Sequence, residues 1–349
     1  MQGNSNTNLF FLFGAFIIQN RCWVIISTYI TVLINSHQDR YLFCSGACDG
    51  KVNLYSALRM ELLMCYQITT MTLARNVNAV RFTSDGSRIL AATTARRLAV
   101  VDVERGEQLV AYDNCAFSGR DRTGLAADPA CPHMAVLVNV NGRGLTLLDL
   151  RMPLPLDFVY DLHGSVVRDL TFLHTSWPWV RGQQSALVTA AAEGTIKVST
   201  LDGRVLHSYQ AGHRVNSVSP TPEPFNLAAE DGFYSVIMTG GDVVSAYVPD
   251  AGIQEILKEH KDQQIWKLRY TSNGSQLFTV CEGGLVRRYR RYPDHHEFLG
   301  EVYQHKGDIQ DMDISPYDEY LITASKDRSV GVLRLGAPNH GWTEYSELT

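Results

Sequence analysis

The stretch HKGDIQDMDISPYDEYLITASKDRSVGVLRL, residues 305–335, holds three apolar runs separated by short polar links. Similar stretches begin at His163, His213 and His260, so the leading histidines stand 50, 47 and 45 residues apart. Upstream copies at Val77 (VNAVRFTSDGSRILAATTARRLAVVD) and Arg122 (RTGLAADPACPHMAVLVNVNGRGLTLLDLR) lack the histidine and keep the pattern. ITVLINSHQDRYLFCSGACDGKVNLYS, from Ile30, aligns with the last copy after a one-residue slip, so Ile30–Asn35 is the expected first strand of the first unit.

Alternation at period two, with turns every eight to twelve residues, predicts antiparallel strands. TSDG at Thr83–Gly86 and TSNG at Thr271–Gly274 read as two-residue hairpin signals, where glycine accepts a positive φ. The links hold a fourth strand per unit, such as QLVAYD from Gln108. Seven four-stranded units at a spacing of about 47 residues predict an all-β, seven-bladed β-propeller of four-stranded antiparallel blades. One blade cannot bury both of its faces, so its neighbours must supply the core. The propeller is expected over residues 30–349, with 1–29 as an apolar leader. The fourth strand of the last blade is expected from Trp342–Leu348 or from the segment around Trp23–Ser27.

These units resemble the WD-repeat family. The resemblance rests on the leading histidines, on Gly212–His213, on the SPYD, TSDG and TSNG turns, and on the turn sequences ACDGKV, AAEGTI and SKDRSV. The closing Trp-Asp pair is replaced by Leu54–Tyr55, Val101–Asp102, Leu148–Asp149 and Leu333–Arg334, so the family's internal hydrogen-bond relay is expected to be incomplete in most blades. The last blade, with His305, Asp327 and a hydroxyl such as Thr323, is closest to it.

The resemblance implies a non-enzymatic scaffold for protein–protein interactions within a multiprotein complex. Its implied partners are proteins or peptides, with no catalytic residues, cofactor or metal. The family's frequent binding surface, the top face near the inner-strand entries, would include Arg168, Arg214, Gln264, Trp266 and Asp308. Tryptophan and arginine are the side chains enriched at interface hot spots. The alternative is a substrate receptor of a cullin-RING ubiquitin ligase. Such receptors carry Trp-Asp-x-Arg at the end of a third strand, and LLDLR (147–151) matches at Asp149 and Arg151 but not at Leu148. Asp149, on the same strand face, is placed to orient the Arg151 guanidinium through a bidentate pair.

Composition changes this picture little. The net charge of −5 gives no global argument for nucleic acid or an anionic membrane. The densest basic run, RRYRRY (287–292), fits either an RNA contact or, preferably, an exposed outer strand whose charges prevent edge pairing. Seven cysteines at irregular spacing suggest free thiols in a reducing compartment, hence a cytoplasmic location, with the nucleus as an alternative. Cys44 and Cys48 lack a second pair at zinc-site spacing. Cys131 and His133 have no visible partner, and His295–His296 read as a solvated link. Asn141–Gly144 is a β-turn without a following helix, and the acceptor motif at Asn273 coincides with a hairpin turn.

At the N-terminus, LFFLFGAFII and CWVIISTYITVLI flank Gln19–Asn20–Arg21. Neither run reaches the roughly 20 apolar residues of a span. Joined, they would place Arg21 near mid-bilayer at about 2.5–3.5 kcal/mol. A membrane anchor is therefore disfavoured against an outer or closing strand, or an atypical start.

Overall fold

A computed structural model of the protein describes residues 25–29, 42–69, 75–119, 124–173, 177, 185–222, 235–248, 253–257, 263–293, 295–335 and 345–348. They form seven four-stranded antiparallel sheets, each an up-and-down meander. The first blade comprises β1 (Ile25–Tyr29), β2 (Leu42–Gly46), β3 (Lys51–Ser56) and β4 (Glu61–Gln67). The second holds β5 (Val77–Phe82), β6 (Arg88–Thr93), β7 (Arg97–Asp102) and β8 (Gln108–Tyr112). The third holds β9 (Leu125–Ala127), β10 (Met134–Val138), β11 (Leu145–Asp149) and β12 (Asp157–Val159). In the fourth are β13 (Val167–Leu173), β14 (Ala186–Ala191), β15 (Thr195–Thr200) and β16 (Val205–Gln210). The fifth comprises β17 (Val215–Pro220), β18 (Ile237–Gly241), β19 (Val244–Val248) and β20 (Ile253–Leu257). The sixth is β21 (Ile265–Tyr270), β22 (Gln276–Cys281), β23 (Leu285–Arg291) and β24 (His296–Gln304). The last is β25 (Ile309–Ile314), β26 (Tyr320–Ser325), β27 (Val330–Arg334) and β28 (Tyr345–Leu348).

The innermost strands neighbour one another in chain order, and β25 lies beside β1, so the blades close into a ring. The expected fold class is thus the observed one, and the last blade takes its fourth strand from the Trp342–Leu348 segment. The first blade differs in detail. Its inner strand is Ile25–Tyr29, ahead of the expected Ile30–Asn35, and those six residues lie outside the described ones. So do residues 1–24, on which the leader and anchor readings fall. Among the described residues, no helix is long and apolar enough to cross a membrane.

Apolar packing explains why the middle strands read as continuous apolar runs. In β6, Ile89 and Ala91 face one side of the sheet and join Leu42, Cys44 and Leu54 of the first blade. Leu90 and Ala92 face the other side and join Leu125, Ala135 and Leu137 of the third. Period two is intact, but both faces are dry. Each buried large aliphatic contributes on the order of 1.5–3 kcal/mol, and every blade needs both neighbours to realise it. The same arrangement recurs around the ring, ending where Phe43 and Tyr55 of the first blade meet Tyr320, Ile322 and Val332 of the last. Close approach leaves no room for a side chain at Gly240, where an added Cβ would come within 2.6 Å of Leu268 and 2.8 Å of Ile265 in the next blade.

The turns are longer than the expected two-residue hairpins. Gly86 N donates to Thr83 O at 2.8 Å and Thr83 N to Arg88 O at 3.0 Å, so the loop between β5 and β6 takes in residues 83–87. Asp85 accepts from the Thr83 hydroxyl and from Ser87 N. Asn273 plays the same part in the Thr271–Gly274 turn.

Candidate functional site

We call top the face where the inner strands begin. Five inner strands skip one residue of pairing near that end: between Val77 and Ala79, Val167 and Asp169, Val215 and Ser217, Ile265 and Lys267, and Ile309 and Asp311. The extra residues are Asn78, Arg168, Asn216, Trp266 and Gln310. A bulge re-aims its extra side chain. Here Asn216 Nδ2 reaches the next blade and donates to Ile265 O at 3.0 Å, and Asn78 Nδ2 donates to Phe117 O at 3.3 Å.

Of the five residues implied for the top face, Arg168 and Trp266 are thus bulge residues, both half-buried. Arg214, Gln264 and Asp308 stand one residue ahead of their strands; Arg214 is exposed and the other two are half-buried. Together they trace an arc over four consecutive blades rather than one pocket. Within it, Lys326 joins Asp308 to Trp266. Its ammonium lies 2.9 Å from Asp308 Oδ2 and 5.8 Å from the indole centroid. Asp308 also accepts from Gly283 N at 3.0 Å.

The relay expected in the last blade is present. His305 is buried, with Nε2 2.8 Å from Thr323 Oγ1 and Nδ1 2.8 Å from Ser329 Oγ and 3.3 Å from Asp327 Oδ2. Asp327 further accepts from Lys306 N, Ser329 N and the Ser329 hydroxyl. Burial alone would raise its pKa; the Ser329 hydrogen bonds and His305 outweigh this and lower it. Earlier blades keep fragments. His163 Nε2 meets Thr189 Oγ1 at 2.7 Å, but its buried Nδ1 has no partner among the described residues. Glu193, in the following turn, bonds Thr195 instead. Burial, with Lys197 adding to it, pushes His163 down to about 4, so it stays neutral.

Sequence reasoning missed the ring's interior. After each bulge, residues two apart share the face that looks into the central channel. Asp169, Ser217, Lys267 and Asp311 form an upper layer, and Arg81, Thr171, Arg269 and Asp313 a lower one. Asp169 is the hub. Its Oδ1 receives Lys267 Nζ at 2.9 Å, and its Oδ2 receives the Ser217 hydroxyl at 2.8 Å and Val218 N at 3.1 Å. The Asp169 and Lys267 side chains are 4% and 5% exposed. Burial would raise the Asp169 pKa, but Lys267 and Arg269 hold it well below the usual range. Burial, with Arg269 alongside, brings Lys267 down to about 8 against the pull of Asp169 and Asp311. The available signal was the alternation itself: charges two apart in KLRY and DMDI, and Asp169 two residues before Thr171 in RDLT, inside otherwise apolar strands.

At the bottom face, the expected pair forms. Arg151 Nε donates to Asp149 Oδ1 at 2.9 Å and Nη2 to Oδ2 at 2.6 Å, while Arg151 N also reaches Oδ1. These bonds bring Asp149 down to about 2. The Arg151 side chain is 62% exposed. Leu148 is fully buried in the blade core, and the Tyr112 hydroxyl ties the turn down by donating to Met152 O at 2.8 Å. Cys131, half-buried, has a partner after all: its Sγ lies 3.1 Å from His133 Nε2.

The basic run is corrected by its position. β23 is a third strand, paired on both edges, and not an exposed outer strand. Arg287 and Arg291 are buried. Arg287 pairs with Glu301 at 3.2 Å, Arg288 Nε donates to Gln276 Oε1 at 2.9 Å, and Arg291 lies over the Tyr270 ring. Long guanidinium stems bury well once the head finds an acceptor. His296 Nε2 meets the Tyr270 hydroxyl at 2.8 Å, so only His295 of that pair is exposed. Among the described cysteines, Cys44, Cys115 and Cys281 are buried, Cys48 and Cys131 half-buried and Cys65 exposed, all as free thiols.

The ring of meanders with side-chain cores between blades defines a seven-bladed β-propeller. Residues 296–332 match the family model described as WD domain, G-beta repeat. A chain of the crystal structure of the mitotic checkpoint complex is similar in fold, at 14% identity and a TM-score of 0.68, covering 89% of this chain and 90% of that one. No curated protein matches the chain. The matching repeat lies within this seven-bladed ring, and the two observations together support a WD-repeat propeller. The matched residues run from β24 through β27, the segment that contains the complete histidine relay.

Two substitutions probe these networks. Among the described residues, Asp169→Ala leaves Lys267 with only the longer contact to Asp311, at 3.9 Å, and is expected to cost about 3–5 kcal/mol in urea unfolding at neutral pH. The folded carboxyl titrates below the roughly 3.9 of an unfolded aspartate, so its contribution is complete above that pH and is lost as the pH falls below it. The gap between wild type and variant therefore narrows on acidification; a gap independent of pH would contradict the charged hub. Asp327→Ala removes the acceptor of Lys306 N, Ser329 N and the Ser329 hydroxyl and is expected to cost roughly 1–3 kcal/mol. An unchanged melting temperature would show that the relay contributes nothing.

Proposed function

We propose that this protein is a non-enzymatic scaffold that holds protein or peptide partners within a multiprotein complex through the top face of its propeller. The observation that carries the reading is the arc of Arg168, Arg214, Gln264, Trp266 and Asp308, with Lys326 set between Trp266 and Asp308. It combines an aromatic body with fixed charges on rigid strand ends, and such placement lowers the ordering cost of binding. Fold similarity to a chain solved within a multiprotein assembly is in keeping with this. Free thiols favour a reducing compartment, and we place the protein in the cytoplasm. The test is affinity purification of the tagged full chain against Arg214→Glu. Arg214 is exposed, so the variant should keep its melting temperature while a stable complex recovered with wild type is lost. Recovery of the same complex with the variant would move the interface elsewhere.

A second reading, substrate receptor of a cullin-RING ligase, is favoured by one observation. Arg151 is exposed and already aligned by Asp149. Against it stands Leu148, buried where the motif has its largest side chain. Under Arg151→Ala, a docking role requires loss of cullin-adaptor co-purification at nearly unchanged melting temperature. We expect a lower melting temperature instead, and no adaptor in the wild-type purification.

A further inference from the structure

The lower layer of channel residues opens into a cavity of about 380 Å³ at the bottom mouth of the ring. Arg81, Arg269 and Asp313 supply its charges, so the lining carries one net positive charge. Leu125, Ala126, Leu170 and Phe172 make much of the rest apolar. A volume of that size lies in the range of small-ligand sites, which pair apolar walls with a few fixed polar groups.

Arg269 is the informative group. Its side chain is 16% exposed. Among the described residues, all of its hydrogen bonds leave from a single nitrogen, Nη1. That atom donates to Val218 O and Leu268 O, both at 2.9 Å, and approaches Asp169 Oδ2 at 3.4 Å and Ser217 Oγ at 3.5 Å. Among the described residues, Nε and Nη2 have no acceptor, yet neither is a buried orphan. The planar fork is thus anchored on one side and leaves the edge suited to bidentate recognition of a carboxylate. Thr171, half-buried on the same wall, adds a hydroxyl.

We propose that this cavity is a binding site for a carboxylate carried next to an apolar group, as at the C-terminus of a peptide ending in an aliphatic residue. The carboxylate takes the Nε–Nη2 edge of Arg269, and the aliphatic side chain lies against Leu125, Ala126 and Leu170. A monoanion suits a lining of one net positive charge. Asp313 opposes a phosphate, which brings more charge to the same wall. The site is on the face opposite the top-face arc, so it stands or falls independently of the scaffold reading.

The probe is N-acetyl-leucine, titrated into methyl-labelled full-length protein and read by NMR at Leu125, Ala126, Ala127 and Leu170. Expected are saturable shifts at these methyls, binding roughly tenfold weaker for N-acetyl-leucinamide, and no competition by inorganic phosphate. Arg269→Lys keeps the charge and loses the fork, so it should weaken binding by a similar factor, while Arg59→Lys on the exposed β3–β4 turn leaves it unchanged. If Arg269→Lys lowers the melting temperature, Thr171→Leu gives the same reading by filling the cavity. No saturable shift in wild type, equal binding of the amide, or displacement by phosphate would overturn the assignment.

Discussion

The interior of the ring depends on one dry carboxylate. Asp169 belongs to the fourth blade, takes hydrogen bonds from Ser217 and Val218 of the fifth, and pairs with Lys267 of the sixth. An ion stripped of water costs several kcal/mol, and its attraction to a counter-ion offsets this only when geometry is good and every lone pair is used. Asp169 meets that condition only when three blades are seated in register. Apolar cores between blades are forgiving of small slides; this network is not. It therefore sets the rotational register of blades that greasy packing alone would leave loosely specified.

The same division explains what the sequence disclosed. The repeat and the number of blades were legible because the pattern recurs at a spacing of about 47 residues, and the relay of His305, Thr323 and Asp327 because it uses residue types with narrow roles. Asp149 and Arg151 were legible because a pair two apart at a strand end has few other arrangements. The bulges were not, since an extra residue in an apolar strand leaves no compositional mark. Without them the channel faces of β13, β17, β21 and β25 could not be assigned, and Asp169, Lys267 and Arg269 looked like ordinary alternation. RRYRRY misled for a related reason. Charge was taken as exposure, whereas the acceptors that allow Arg287 and Arg288 to be buried, Glu301 and Gln276, lie on neighbouring strands. In the first blade, IISTY and ITVLIN are equally apolar, and period two cannot choose between them.

Degeneracy of the blades also has a structural logic. A buried histidine with both nitrogens engaged, like His305, fixes the turn above it. His163, neutral and bonded on one side, fixes less. The recognisable repeat persists in the last blade, next to the junction with the first, where no covalent link helps to hold the neighbours together. Elsewhere the chain itself crosses from blade to blade, and side chains carry the remaining demand.

That junction has a consequence of its own. Each blade is made from one contiguous stretch of chain, so among the described residues the last sheet borrows no strand from the first. What joins them is Phe43, Tyr55 and Ala57 against Tyr320, Ile322, Ala324, Val330 and Val332. Among the described residues, parting this seam breaks no ladder hydrogen bond and exposes a largely apolar surface. Apolar attraction weakens on cooling, whereas ladders and ion pairs do not share that dependence. The molecule is thus built like a split washer whose gap is held shut by apolar contact, the term that cooling weakens.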